Sequence, residues 1–218
     1  ANGLISPFDE VDLTFSTVPT DPSELLFAAG RYGIVVSPGG TELSVSGSYS
    51  ETRPGAYLED RDIFGESMRV SAKIRHPLKR SRAFSLWTHG EFELRDLRQD
   101  RFDVRARHDR IPAVRLGLYS QALMFDGSLR GGLTLAQGLD ILDATQTGDP
   151  LASRDDASPD FTTLSGWFAW ERGLSQTFSL ALAGRGQAST TPLLITEDIG
   201  LGGNSFLRGY NFSERTGD

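Results

Sequence analysis

The 218-residue sequence has no cysteine, three histidines (His76, His89, His108) and only 38% hydrophobic residues. Without cysteine there is neither a disulfide scaffold nor a thiolate metal site, and three scattered histidines leave little for a His-based one. Cations are outnumbered, 22 Lys+Arg against 29 Asp+Glu, giving a net charge of −7 and a pI near 5.0. That balance argues against a nucleic-acid binder, which must neutralise phosphates, and against adhesion to anionic lipid by charge alone. No apolar run reaches the ~18 residues of a transmembrane helix, and Ala1-Asn2-Gly3 lacks the basic-then-apolar pattern that opens a signal peptide. The first expectation from these absences is a soluble globular protein.

The residues that are present point elsewhere, because apolar positions recur with period two. Val11, Leu13 and Phe15 alternate with Asp12, Thr14 and Ser16. Leu43, Val45 and Tyr49 oppose Glu42, Ser44 and Ser48, and Met68, Val70, Ala72 and Ile74 oppose Arg69, Ser71, Lys73 and Arg75. The pattern continues through Phe84–Leu94, Val114–Tyr119, Leu129–Ile141, Leu164–Glu171 and Phe178–Arg185, and more weakly through Leu25–Val36. This predicts nine β-strands and no helix.

Connections alternate between tight and long. The tight ones are Ser37–Gly40, Leu78–Ser81, Phe125-Asp126-Gly127 with its favoured Asp-Gly pair, and Arg172–Ser175. Between them fall longer polar stretches: Pro19–Glu24, Glu51–Gly65, the charged Asp96–Arg110, and Leu142–Asp160. Everything from Pro192 onward lacks strand alternation. Tight turns at every second connection describe an antiparallel up-and-down meander with all its short turns on one side.

A soluble barrel and a membrane barrel both alternate. Strands of about ten residues, short turns on one side and long loops on the other are the membrane arrangement, with the apolar face outward and the polar face lining a wet lumen. The expected fold class is therefore all-β, an antiparallel up-and-down transmembrane β-barrel. The residues expected to line the lumen are Arg69, Lys73, Arg75, Glu91, Glu93, Arg115, Arg130, Glu171 and Arg185, with opposite charges able to pair across it. An odd strand count does not close such a barrel, and an open sheet would leave unpaired edges in hydrocarbon. The sequence thus reads as about nine strands of an incomplete barrel, a fragment of a longer chain.

Other chemistry is weak. Gly200–Gly203 is not followed by the Lys-Ser/Thr of a phosphate loop. His89, Glu91 and Glu93 share a face and could hold a cation, but read better as wall charges; Asp155, Asp156 and Asp160 lack calcium-loop spacing. Nothing sets a base against a nucleophile, so no catalytic residue, metal or cofactor is assigned.

The stretch Pro192-Leu193-Leu194-Ile195-Thr196-Glu197-Asp198-Ile199-Gly200-Leu201-Gly202-Gly203, ending in Leu207-Arg208-Gly209-Tyr210, resembles the Pro-Leu-x-x-x-Glu-x-x-x-Leu-Gly-Gly … Arg-Gly-Tyr pattern of two-partner secretion transporters. These are outer-membrane pores that export large adhesins and haemolysins, in the same superfamily as BamA-type assembly factors. Arg75-His76-Pro77-Leu78, Leu135–Leu142 and Gly148-Asp149-Pro150-Leu151 are similar too, in the family's order.

The resemblance implies a conduit rather than an active site. Residues 1–191 would be barrel strands, about nine of the family's some sixteen, and residues 192–218 a loop that folds into the lumen, with periplasmic POTRA domains and closing strands outside these residues. Arg208 matches the loop-anchoring arginine, Gly209 and Tyr210 complete that motif with Leu207, and Gly202-Gly203 match its entry turn. A planar guanidinium can hold an acidic wall residue bidentately, and Gly209 permits a tight tip. The implied partners are an unfolded cognate secreted protein, moved without ATP, and the surrounding outer-membrane lipid and lipopolysaccharide; the pore would be monomeric. Alternatives are a membrane-protein assembly factor, a diffusion porin and a soluble all-β binding module.

Overall fold

The computed structural model describes residues 8–55, 60, 62–201 and 215–217. The motif residues Gly202, Gly203, Leu207, Arg208, Gly209 and Tyr210 lie outside them.

Nine strands form one antiparallel sheet in sequential order: β1 (Asp9–Thr17), β2 (Leu25–Val35), β3 (Glu42–Thr52), β4 (Ile63–Arg80), β5 (Phe84–Arg101), β6 (Val104–Met124), β7 (Gly127–Gly138), β8 (Thr162–Gly173) and β9 (Ser179–Ser189). Each period-two segment became one strand. Register keeps the faces pure across the sheet. One row runs Ile34, Leu43, Ile74, Gly90, Leu116, Leu135, Leu164. The adjacent row on the opposite face runs Gly33, Ser44, Lys73, Glu91, Arg115, Ala136, Thr163, Ser189.

The apolar face is bare: Leu13 is 82% exposed, and Leu116, Leu133, Leu164 and Leu182 are all exposed. A contiguous apolar surface of this extent is not stable in water. Placing each such side chain against hydrocarbon gains about 1.5–3 kcal/mol. The free edges of β1 and β9 would carry unpaired backbone groups there, so the sheet is part of a larger closed structure.

Several expectations need correction, among them the tight connection at Leu78–Ser81, of which Leu78–Arg80 belong to β4. Asp96–Arg110 is not a long loop: β5 runs to Arg101 and β6 starts at Val104, joined by Phe102-Asp103 alone, both at positive φ (51° and 58°). The β5–β6 pairing therefore projects past the end of β7, accompanied by β4 up to the Ile63↔Arg101 pair. Charged residues occupy both faces there because both are wet. The seventh strand stops at Gly138 rather than Ile141. Finally, the segment after Pro192 is not wholly without strand: β10 (Ile199–Leu201) pairs with β11 (Arg215–Gly217).

The Asp126-Gly127 turn is shifted by one residue. Phe125 and Asp126 are its central pair, at φ 54° and 55°, and Gly127 begins β7. Both positive values match a type I′ turn, whose twist suits a two-residue hairpin.

The connection 139–161 lies along the part of β6 that β7 leaves free. Leu139 N–H donates to Pro112 O (2.9 Å), Thr145 N–H to Arg110 O (3.0 Å) and His108 N–H to Leu151 O (2.8 Å). Beneath it the polar face carries its one apolar core among the described residues: Ile111, Ala113, Ala136, Ala157, Phe161, Leu193 and Leu194. Leu193 is completely buried, so the chain after β9 turns back onto this face.

Candidate functional site: a charge network on the polar face

Strands β4, β5 and β6 bring the charges of the polar face together. Glu93, with a side chain 1% exposed, receives Arg95 Nε at 2.6 Å and Arg115 Nη2 at 3.2 Å, and is also paired with Arg69. Glu91 takes Lys73 Nζ at 3.1 Å and Arg69 Nη2 at 3.4 Å. A carboxylate removed from water this completely is tolerable only when paired and hydrogen-bonded, and Glu93 has three guanidinium partners.

The centre of the network comes from outside the sheet. A turn closed by Glu197 N–H to Leu194 O (2.8 Å) presents Glu197 to the wall. Arg115 Nη2 donates to both Glu197 oxygens (2.8 and 2.9 Å), and Arg95 Nη1 lies 3.2 Å from Oε1. Backbone contacts reinforce the attachment: Arg95 donates to Thr196 O (3.3 Å), Gln187 to Glu197 O (2.8 Å) and Arg185 to Gly200 O. Residues 193–200 thus form a strap, buried through Leu193 and Leu194 at one end and held by three arginines thereafter.

A second group joins Arg31, Glu42 and Arg75 on β2–β4. Arg75 Nη2 lies 2.6 Å from Glu42 Oε2, and Arg31 bonds Glu42 while approaching Asp12 at 3.4 Å.

Of the side chains singled out from sequence, Arg69, Lys73, Glu91, Glu93 and Arg115 meet in the first network, Arg75 lies in the second, and Arg185 holds the strap. Arg130 and Glu171 are exposed diagonal neighbours on the same face that form no ion pair with another described residue. Arg95 continues the spacing of Glu91 and Glu93 but lies just past Leu94, where the apolar alternation ends, so the sequence pattern does not single it out. Glu197 was overlooked although it is the fixed acidic position of the motif. Among the described residues no group of His, Cys, Asp and Glu could hold a metal ion: Glu91 and Glu93 are already matched by cations. No helix of the described residues is long and apolar enough to cross a membrane.

An antiparallel meander with a bare apolar face, a charge-compensated polar face and a strap returning to that face has the construction of an outer-membrane β-barrel wall. The chain belongs to the haemolysin secretion/activation protein family ShlB/FhaC/HecB, whose model matches residues 33–218. Its structure is similar to CdiB from Escherichia coli, with a TM-score of 0.72 at 17% identity over 86% of this chain and 35% of that one. It is also similar to CdiB from Acinetobacter baumannii, with a TM-score of 0.71 at 16% identity over 99% of this chain and 38% of that one. The chain thus spans well under half the length of these solved proteins. A search of curated protein sequences finds no significant match. The family comprises two-partner secretion transporters of the bacterial outer membrane, which are not enzymes.

Proposed function

We propose that this chain forms part of a passive outer-membrane pore that exports one cognate, unfolded protein of the adhesin or haemolysin type from periplasm to cell surface. Its polar face, with Arg69, Lys73, Arg75, Glu91, Glu93, Arg115, Arg130, Glu171 and Arg185, lines the conduit; its apolar face contacts lipid and lipopolysaccharide. Residues 1–191 are wall, and residues 192–218 are a loop within the lumen. The observation that carries this reading is the strap: Glu197, a residue of the loop, is ion-paired to Arg115 and Arg95 of the wall. A loop held inward by charge in a water-filled channel constrains passage and can be released without hydrolysing anything. Arg208, Gly209 and Tyr210, entered through Gly202-Gly203, form a second anchor at the loop tip.

The test uses the full-length protein in its native host. Deletion should remove one large protein from the cell surface or medium. Wild type should restore it, and Arg208→Ala should not, although it inserts into the outer membrane in normal amount. An extracellular protein profile unaffected by deletion would refute export.

A further inference from the structure

One row of the polar face carries aromatic rings in place of charge. Trp87 on β5, Tyr119 on β6, Gly132 on β7 and Trp167 on β8 stand opposite one another in register. The rings of Trp87 and Tyr119 lie 5.4 Å apart at 40°, and those of Tyr119 and Trp167 lie 6.1 Å apart at 34°. Both separations fall in the range where aromatic pairs attract.

The second contact spans a strand, and Gly132 makes it possible. A Cβ at Gly132 would stand 2.8 Å from Trp167 Nε1, so the missing side chain is the space in which the indole crosses β7. Trp167 nevertheless remains 45% exposed. Large rings thus stand in contact on an otherwise polar wall, with Trp87 and Tyr119 half-buried and Trp167 open to the lumen side.

The row is also well placed. In β5, Trp87 precedes His89 and Glu91, so the row lies between the tight turns and the charge network. In β9, Arg185 stands opposite Trp167 and holds Gly200 O of the strap. The rings therefore lie level with the strap's end at Gly200 and nearer the tight turns than Glu91 and Glu93 are.

We propose that Trp87, Tyr119 and Trp167 form a contact site for aromatic side chains of the exported polypeptide; this rests on the export reading above. The geometry favours a peptide over a sugar. A sugar ring stacks flat on a free aromatic face, whereas Tyr119 has an indole on either side and the row offers mainly tilted ring edges and the outer surface of Trp167. Aromatic pairing is tolerant of sequence and weak enough to release, which a conduit needs if it is to bind without trapping.

The test is single-channel recording of the full-length protein in planar bilayers with two unstructured synthetic peptides of equal length and charge. One carries Phe and Tyr; the other carries Ser in their place. The aromatic peptide should block the wild-type pore for about three- to tenfold longer, the range expected for one or two aromatic contacts. The double variant Trp87→Ala/Trp167→Ala, and Gly132→Val, which displaces the indole without removing it, should shorten the aromatic block to that of the Ser peptide. Trp87→Phe/Trp167→Phe should retain most of it, showing that ring chemistry and not barrel folding is read. Equal dwell times in wild type and variants overturn the proposal. So does a change confined to peptide-free conductance, which would make the chain's own loop the occupant, or block by an oligosaccharide with none by either peptide. If neither peptide enters the wild-type pore, export itself fails.

Discussion

Arg115 holds both carboxylate oxygens of Glu197 through one nitrogen, at 2.8 and 2.9 Å, while the same nitrogen lies 3.2 Å from Glu93. One guanidinium on β6 therefore ties the returning strap to the most deeply buried acid of the sheet. Removing Glu197 leaves Arg95 and Arg115 sharing Glu93; removing Glu93 leaves three arginines with less than they need. The strap and wall are thus energetically coupled.

Glu197→Gln keeps the shape of the side chain and removes its charge. Charged hydrogen bonds contribute about 1.5–3 kcal/mol each, so loss of even one should raise the frequency of pore opening by about tenfold or more. Single-channel recording of the full-length variant checks this, and an opening frequency equal to wild type would show that the strap is held by Leu193, Leu194 and its backbone hydrogen bonds rather than by the Glu197 charge.

Adjacent positions on β6 and β7 should respond oppositely to a new charge. Leu116 lies on the bare apolar face, and Leu116→Arg should destabilise the inserted protein by about 2–4 kcal/mol, the cost of arginine near a bilayer midplane. Thr134→Arg, on the polar face opposite Gly117, should cost little. Urea unfolding in lipid vesicles measures both, and equal losses would mean that the faces are assigned wrongly.

At the projecting tip of the β5–β6 hairpin, the hydrogen bond from Arg105 holds the Asp100 carboxyl below its ordinary value of 3.8. A depressed carboxyl contributes stability above its unfolded pKa and loses it as pH falls through the folded one. The tip should therefore stay paired from neutrality down to about pH 4 and loosen only at lower pH. NMR titration of Asp100 should give a midpoint under 3.8, and Arg105→Gln should move it back toward that value.

Phe102 occupies the same tip at φ 51°, a conformation that costs a bulky residue roughly 1–2 kcal/mol. Asn tolerates it, so Phe102→Asn should raise stability by about 1 kcal/mol, read as a higher thermal unfolding midpoint. A lower midpoint would mean that the exposed ring has a contact of its own.

The nine strands were legible because lipid on one side and water on the other impose a period of two, as in Met68–Arg75, where apolar residues alternate without exception with Arg, Ser and Lys. That signal ends where the asymmetry ends. Beyond the hydrocarbon both faces of β5 and β6 are wet, so Asp96, Arg98, Arg107 and Asp109 look like loop residues although they are paired strand. The wall charges were readable one strand at a time, but the strap was not. Glu197 reaches Arg115 across a long stretch of sequence, and Leu193 is buried by a fold-back that no local pattern announces. Glu197 did stand at a fixed place in a recognised motif, which was the only available hint of its role.

The cover that residues 139–161 give to β6 has a consequence for how neighbouring molecules meet. At residues 108–112 the strand would otherwise present a row of free amides and carbonyls, a template for another strand. Leu139, Thr145 and Leu151 occupy that row from within the same chain. Along residues 108–112, crowded copies therefore find no free strand edge to pair with, and the base of the projecting hairpin is closed to an intermolecular sheet.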